Sequence, residues 1–126
     1  MLRSITIDAK PLVSRINVIY LYVREMGRSL AFYRDLLGIP LEGDHDWQEA
    51  MLGGTKFALH LSHERVGEAS SGTIHVNFEV GDVDEAVGRL QAAGVAARET
   101  MREEYGVAYE LVDPDGYRIY LFEPRG

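Results

Sequence analysis

The chain has 126 residues, no cysteine and a formal net charge of −7. That length suits one domain able to bury a core without a disulfide, and the missing cysteines remove disulfide scaffolds and thiol nucleophiles from consideration. The acidic balance argues against a phosphate-backbone partner, the opening MLRSITIDAKPLVSR lacks the apolar run of a signal peptide, and no later stretch reaches membrane-span length, so a cytoplasmic protein with neither nucleic-acid nor membrane partners is expected.

In chain order, residues 1–15 read as an N-terminal arm. INVIYLYV then alternates Ile19, Leu21 and Val23 with Tyr20 and Tyr22, the period of a strand. MGRSLAFYRDLLG places Leu30, Tyr33 and Leu37 on one helical stripe and ends at Gly38, a residue suited to the left-handed position after a helix. IPLEGDH, WQEAML and TKFALHLS follow as strands, the last two joined by a Gly53-Gly54 turn. The first unit therefore spans 16–62, and the polar, glycine-bearing segment 63–72 reads as a linker.

The second unit, 73–124, repeats the order. IHVNFEV is a strand, and DVDEAVGRLQAAG is a helix with Asp82 as N-cap, Glu85 as its capping-box partner and Val83, Val87 and Leu90 on the buried stripe. VAARETM, VAYELV and YRIYLFE close it, the last two joined by DPDG. Laying one unit over the other pairs Val18 with His75, Tyr20 with Asn77, Tyr22 with Glu79 and Ala58 with Tyr120.

Sorting the strands by face gives one uniformly apolar set (Ile19, Leu21, Val23, Phe57, Leu59, Val76, Phe78, Ile119, Leu121) to pack beneath the helices. The opposite faces carry Tyr20, Tyr22, His60, His75, Asn77, Glu79, Arg118 and Tyr120, a mixture of aromatic and hydrogen-bonding groups of the kind that lines a cleft for a small organic molecule. Trp47 and Tyr105 are candidates for a cleft mouth, although packing accounts for such aromatics more often. No glycine-rich phosphate loop or Ser-His-Asp arrangement is present to suggest nucleotide binding or acyl transfer.

RSLAFYRDLLG, IHVNFEVGDVDEAV and VDPDGYRIYLFE together resemble the vicinal oxygen chelate superfamily, which includes glyoxalase I, extradiol dioxygenases and bleomycin resistance proteins. The resemblance runs from about Ile16 to Pro124. It implies an α+β fold of two tandem βαβββ modules whose curved mixed sheets surround a cleft, commonly in a homodimer. The family's metal enzymes carry ligands at positions that fall here on Val18, Ala58, His75 and Tyr120. Of these only His75 is an ordinary ligand type, whereas a divalent cation needs about three N, O or S donors. A shifted set of His75, His60 and Glu79, or a contribution from Asp44, His45 or Asp46 folding over the rim, is the way a metal centre could be rebuilt.

Three functions follow as expectations. The favoured one is a protein related to the bleomycin resistance branch, binding an aromatic or cationic small molecule without cofactor. The alternatives are a metal-dependent lyase, isomerase or dioxygenase using the shifted ligands, and a cofactor-free enzyme using His75, Glu79 and tyrosine acid–base groups.

Overall fold

A computed structural model describes residue 12, residues 15–63 and residues 76–126. The expected arm and linker lie outside them apart from Leu12, Arg15 and His63, and so does His75. The described residues form two βαβββ modules, each with a four-stranded mixed sheet.

In the first module β1 (Val18–Val23) leads into α1 (Met26–Leu30), followed by β2 (Glu42–Gly43), β3 (Trp47–Leu52) and β4 (Thr55–Leu61). Sheet order is β1-β4-β3-β2, with β1 parallel to β4 and the other pairs antiparallel. The second module repeats this with β5 (Val76–Glu79), α2 (Val83–Ala92), β6 (Ala97–Glu103), β7 (Gly106–Val112) and β8 (Arg118–Pro124), in the order β5-β8-β7-β6. Among the described residues the first strand of each module is thus an edge strand, paired on one side only.

The first helix departs from the expected stripe. After Leu30 it widens into a π-helical stretch, Ala31–Leu36, in which the Leu37 amide donates to the Phe32 carbonyl five residues back. Ser29 and Phe32 are buried beside Tyr33, and Leu30 and Leu37, half buried, pack against the core at its edge. Gly38 then takes φ 78°, the left-handed conformation expected of it.

The second helix follows its sequence closely. Asp82 accepts the Glu85 amide at 3.0 Å, and Val83, Val87 and Leu90 are buried. Another orphan amide of the helix start, that of Val83, donates to the Glu123 carboxylate of β8 at 2.9 Å, so the helix start is tied to the last strand.

One core serves both modules. Tyr33, Phe57 and Leu59 of the first join Leu90, Ile119 and Leu121 of the second, and Phe57 meets Phe78 edge to face at 5.2 Å. The DPDG turn between β7 and β8 clasps α1. Buried Asp113 accepts the Tyr33 hydroxyl at 2.6 Å, and Asp115 accepts Arg28 at 2.8 Å.

Candidate functional site

The period-two alternation of β1 and β4 turns Tyr20, Tyr22 and His60 to the side away from the helix, as the pattern predicts. In register Tyr22 lies beside His60 and Tyr20 beside Ala58, while from the other flank Trp47 lies opposite His60 and Glu49 opposite Ala58. Four rings therefore converge on one sheet face. Tyr20 stands 5.3 Å from Trp47 and 5.9 Å from His60, and Tyr22 and Trp47 each stand 5.5 Å from His60. Trp47, which sequence reasoning left closer to packing than to a site, is a full member of this wall.

A small side chain lets the rings close. Ala58, one of the positions where the family's metal enzymes carry a ligand, is fully buried between Tyr20 and Glu49. A methyl group there donates nothing to a metal, nor does Val18. Among the described residues no three His, Cys, Asp or Glu side chains gather closely enough to hold a cation. The donors at these positions do not fit the family's divalent metal.

The turn before β3 fixes Trp47. The Asp44 carboxylate accepts the amides of Asp46 and Trp47, both at 2.9 Å, and the Asp44 amide donates to the Trp47 carbonyl. A Cβ on Gly43 would lie 2.0 Å from that same carbonyl oxygen, so only glycine admits this close approach. Asp44 is consumed in shaping the turn, and the side chains of His45 and Asp46 are largely exposed. The metal-rebuilding role considered for these three is therefore taken up by turn geometry and solvent.

Charge beside the wall is negative. The Trp47 indole donates to Glu49 at 2.7 Å and Lys56 pairs with Glu49 at 3.2 Å, and the two together hold that carboxyl below its ordinary value. Glu42 lies across from Glu49 in the β2–β3 ladder. Glu42, Asp44, Trp47, Glu49 and Met51 line a cavity of about 510 Å³ at this edge. Within the wall the Nδ1 of His60 is buried and has no hydrogen-bond partner among the described residues, a polar atom left for something else to satisfy.

The remaining expected residues sit on the second sheet. Asn77 neighbours Tyr120 in the parallel ladder, Glu79 neighbours Phe122, and Asn77, Glu79 and Arg118 are exposed. The Tyr120 hydroxyl donates to Glu110 at 3.1 Å, and Arg98 pairs with the same carboxylate at 3.3 Å. Burial pushes Glu110 up, but Tyr120 and Arg98 outweigh it and hold the carboxyl below its usual value. Burial, then the Glu110 hydrogen bond, raises the Tyr120 hydroxyl. Glu110 escaped the sequence reading although the alternation of VAYELV places it on the Tyr120 face. Tyr105 is exposed, its hydroxyl on Met101.

Comparison with known proteins bears on this geometry. The family model for the Glyoxalase/Bleomycin resistance protein/Dioxygenase superfamily matches residues 15–121. No curated protein matches the chain significantly in sequence. Among solved structures, TnmS3, an antibiotic binding protein from Streptomyces sp. CB03234, superposes with a TM-score of 0.71 at 24% identity, covering 91% of this chain and 99% of its own. A glyoxalase/dioxygenase from Nostoc punctiforme gives 0.78 at 20%, covering 98% and 100%. A lactoylglutathione lyase from Agrobacterium tumefaciens gives 0.69 at 20%, covering 90% and 96%. At such identities these likenesses establish the fold and leave the chemistry to the site.

Proposed function

The chain belongs to the glyoxalase/bleomycin resistance protein/dioxygenase superfamily, and from that premise we propose that it binds a flat, cationic organic molecule on the Tyr20, Tyr22, Trp47 and His60 wall without a resident metal ion. The observation that carries this reading is the gathering of Tyr20, Tyr22 and Trp47, each with its ring within 6 Å of His60, beside the Glu49 carboxylate. Aromatic faces attract flat cations, and the neighbouring carboxylates favour positive charge further.

The alternative family chemistry asks for donors at Val18 and Ala58 that these side chains lack. TnmS3, an antibiotic binding protein, shows that this fold can serve a binding role. The exposure of Tyr20 (41%) and Met51 (57%) on the wall side of the first sheet supports a homodimer in which a second copy completes the cleft. Asn77, Arg118 and Tyr120 would contribute the polar wall of that cleft.

Trp47 is the chain's one tryptophan, so its fluorescence reports on the wall alone. Titrating N-methylquinolinium while reading tryptophan emission, with calorimetry to fix the affinity, tests the proposal. The cation should bind roughly tenfold or more tightly than 2-naphthoate, which has a comparable ring system and opposite charge. His60→Ala and Tyr20→Ala should each weaken it. Equal affinity for the two ligands, or binding that leaves Trp47 emission unchanged, would refute it.

A further inference from the structure

We propose that the cavity on the helix-packed side of the two sheets is a second binding site, which takes an aliphatic carboxylate. It is a partly open cavity of about 900 Å³, within the range that holds small-molecule ligands, and its walls come from both modules: Ile19, Leu36 and Phe57 of the first, Phe78, Leu90 and Leu121 of the second. Ile19, Phe57, Phe78 and Leu121 lie on the strand faces opposite those that bear Tyr20, His60 and Tyr120, so this site is separate from the aromatic wall.

Two features point to a ligand. Ile19 and Leu36 are each 41% exposed although they belong to elements whose neighbouring apolar residues are packed, which leaves apolar surface open along the cavity. The cavity also runs along the edge of β5 that has no partner strand among the described residues, touching Asn77 and Glu79 as well as the inward Val76, Phe78 and Val80.

The charged groups on the lining choose the head group. Lys56 is held by Glu49 at 3.2 Å on the other sheet face. Arg89, on the exposed side of α2, makes no ion pair among the described residues, leaving a guanidinium at the lip of an apolar cavity. A guanidinium binds a carboxylate through two parallel hydrogen bonds, which a point cation cannot do. Glu79, exposed on the same lining, opposes the ligand's charge and marks where the site can be strengthened.

Calorimetric titration of the full chain with hexanoate, octanoate, decanoate and 1-decanol tests this. Affinity should rise about fourfold per added methylene as the chain enters the cavity. Decanoate should bind more tightly than 1-decanol, Arg89→Gln should remove that difference, and Glu79→Gln should widen it. Ala86→Phe, which fills the cavity from α2, should abolish decanoate binding while N-methylquinolinium still quenches Trp47, showing that the fold and the wall survive. Absence of decanoate binding, affinity independent of chain length, or full binding by both Arg89→Gln and Ala86→Phe would overturn the proposal and leave the aromatic site untouched.

Discussion

The Tyr33 hydroxyl of the first module donates to the Asp113 carboxylate of the second at 2.6 Å, and both residues are sealed from solvent, at 0% and 4% exposure. The same carboxylate accepts the amides of Asp115 and Tyr117 at 2.9 and 2.8 Å, so one side chain folds the DPDG turn and fastens it to the helix. Replacing Tyr33 with Phe keeps the ring packing against Phe32 and Phe57 and removes one donor from a buried acceptor. Urea denaturation should show Tyr33→Phe less stable by about 1–3 kcal/mol, with the urea dependence unchanged.

The same pair sets an alkaline limit. Burial first, and then the Asp113 charge, raise the Tyr33 hydroxyl well above its ordinary value of 10.0. A group whose folded pKa is raised contributes stability that is complete below the unfolded value and is lost as pH climbs from there towards the folded one. Urea midpoints should therefore fall as pH passes the ordinary tyrosine range, and Tyr33→Phe should flatten that fall. A variant as alkali-sensitive as the parent would place the titrating group elsewhere.

Ala58 carries the strongest prediction about the wall. Glutamate here would restore a metal-ligand type at the family position, but the site is fully covered between Tyr20 and Glu49. The new carboxylate would have to be desolvated beside an existing one or force the rings apart. Ala58→Glu should lose roughly 3–5 kcal/mol in thermal or chemical denaturation, and Ala58→Gly far less.

Gly43 acts on the wall from a distance. Its φ of 156° matters less than the 2.0 Å at which an added Cβ would meet the Trp47 carbonyl oxygen. Gly43→Ala must push β3 away from β2, which should shift the Trp47 emission maximum, weaken N-methylquinolinium binding and lower the melting temperature. Unchanged emission would show that the turn yields without moving the indole.

Much of this architecture is legible in the residues. Period-two alternation sorted both faces of β1, β4 and β8, and the left-handed φ of Gly38, Gly94 and Gly116 falls where the chain stops or turns. The Asp82 cap on α2 follows from local chemistry that a short window contains. What escaped rests on contacts between distant segments. The π-helical stretch after Leu30 leaves no periodic mark; Ser29 and Phe32 are buried there beside Tyr33, while the expected Leu30 and Leu37 pack against the core from its edge. Trp47 joined the wall through a turn stitched by Asp44 and opened by Gly43, and the Tyr33–Asp113 bond spans 80 positions of chain. The Tyr20, Tyr22 and His60 group is brought together on one sheet, Asn77, Arg118 and Tyr120 lie on the other, and His75 lies outside the described residues.

The claim of metal-free binding is tested most directly by metal content per chain. The protein would be purified without chelator, incubated in turn with nickel, zinc, manganese and iron(II), desalted, and measured by inductively coupled plasma mass spectrometry. No metal should be retained near one equivalent, and N-methylquinolinium should bind equally well before and after chelator treatment. Close to one tightly held metal per chain, lost on His60→Ala or His75→Ala, would contradict it and turn the search to glyoxalase- and dioxygenase-type substrates.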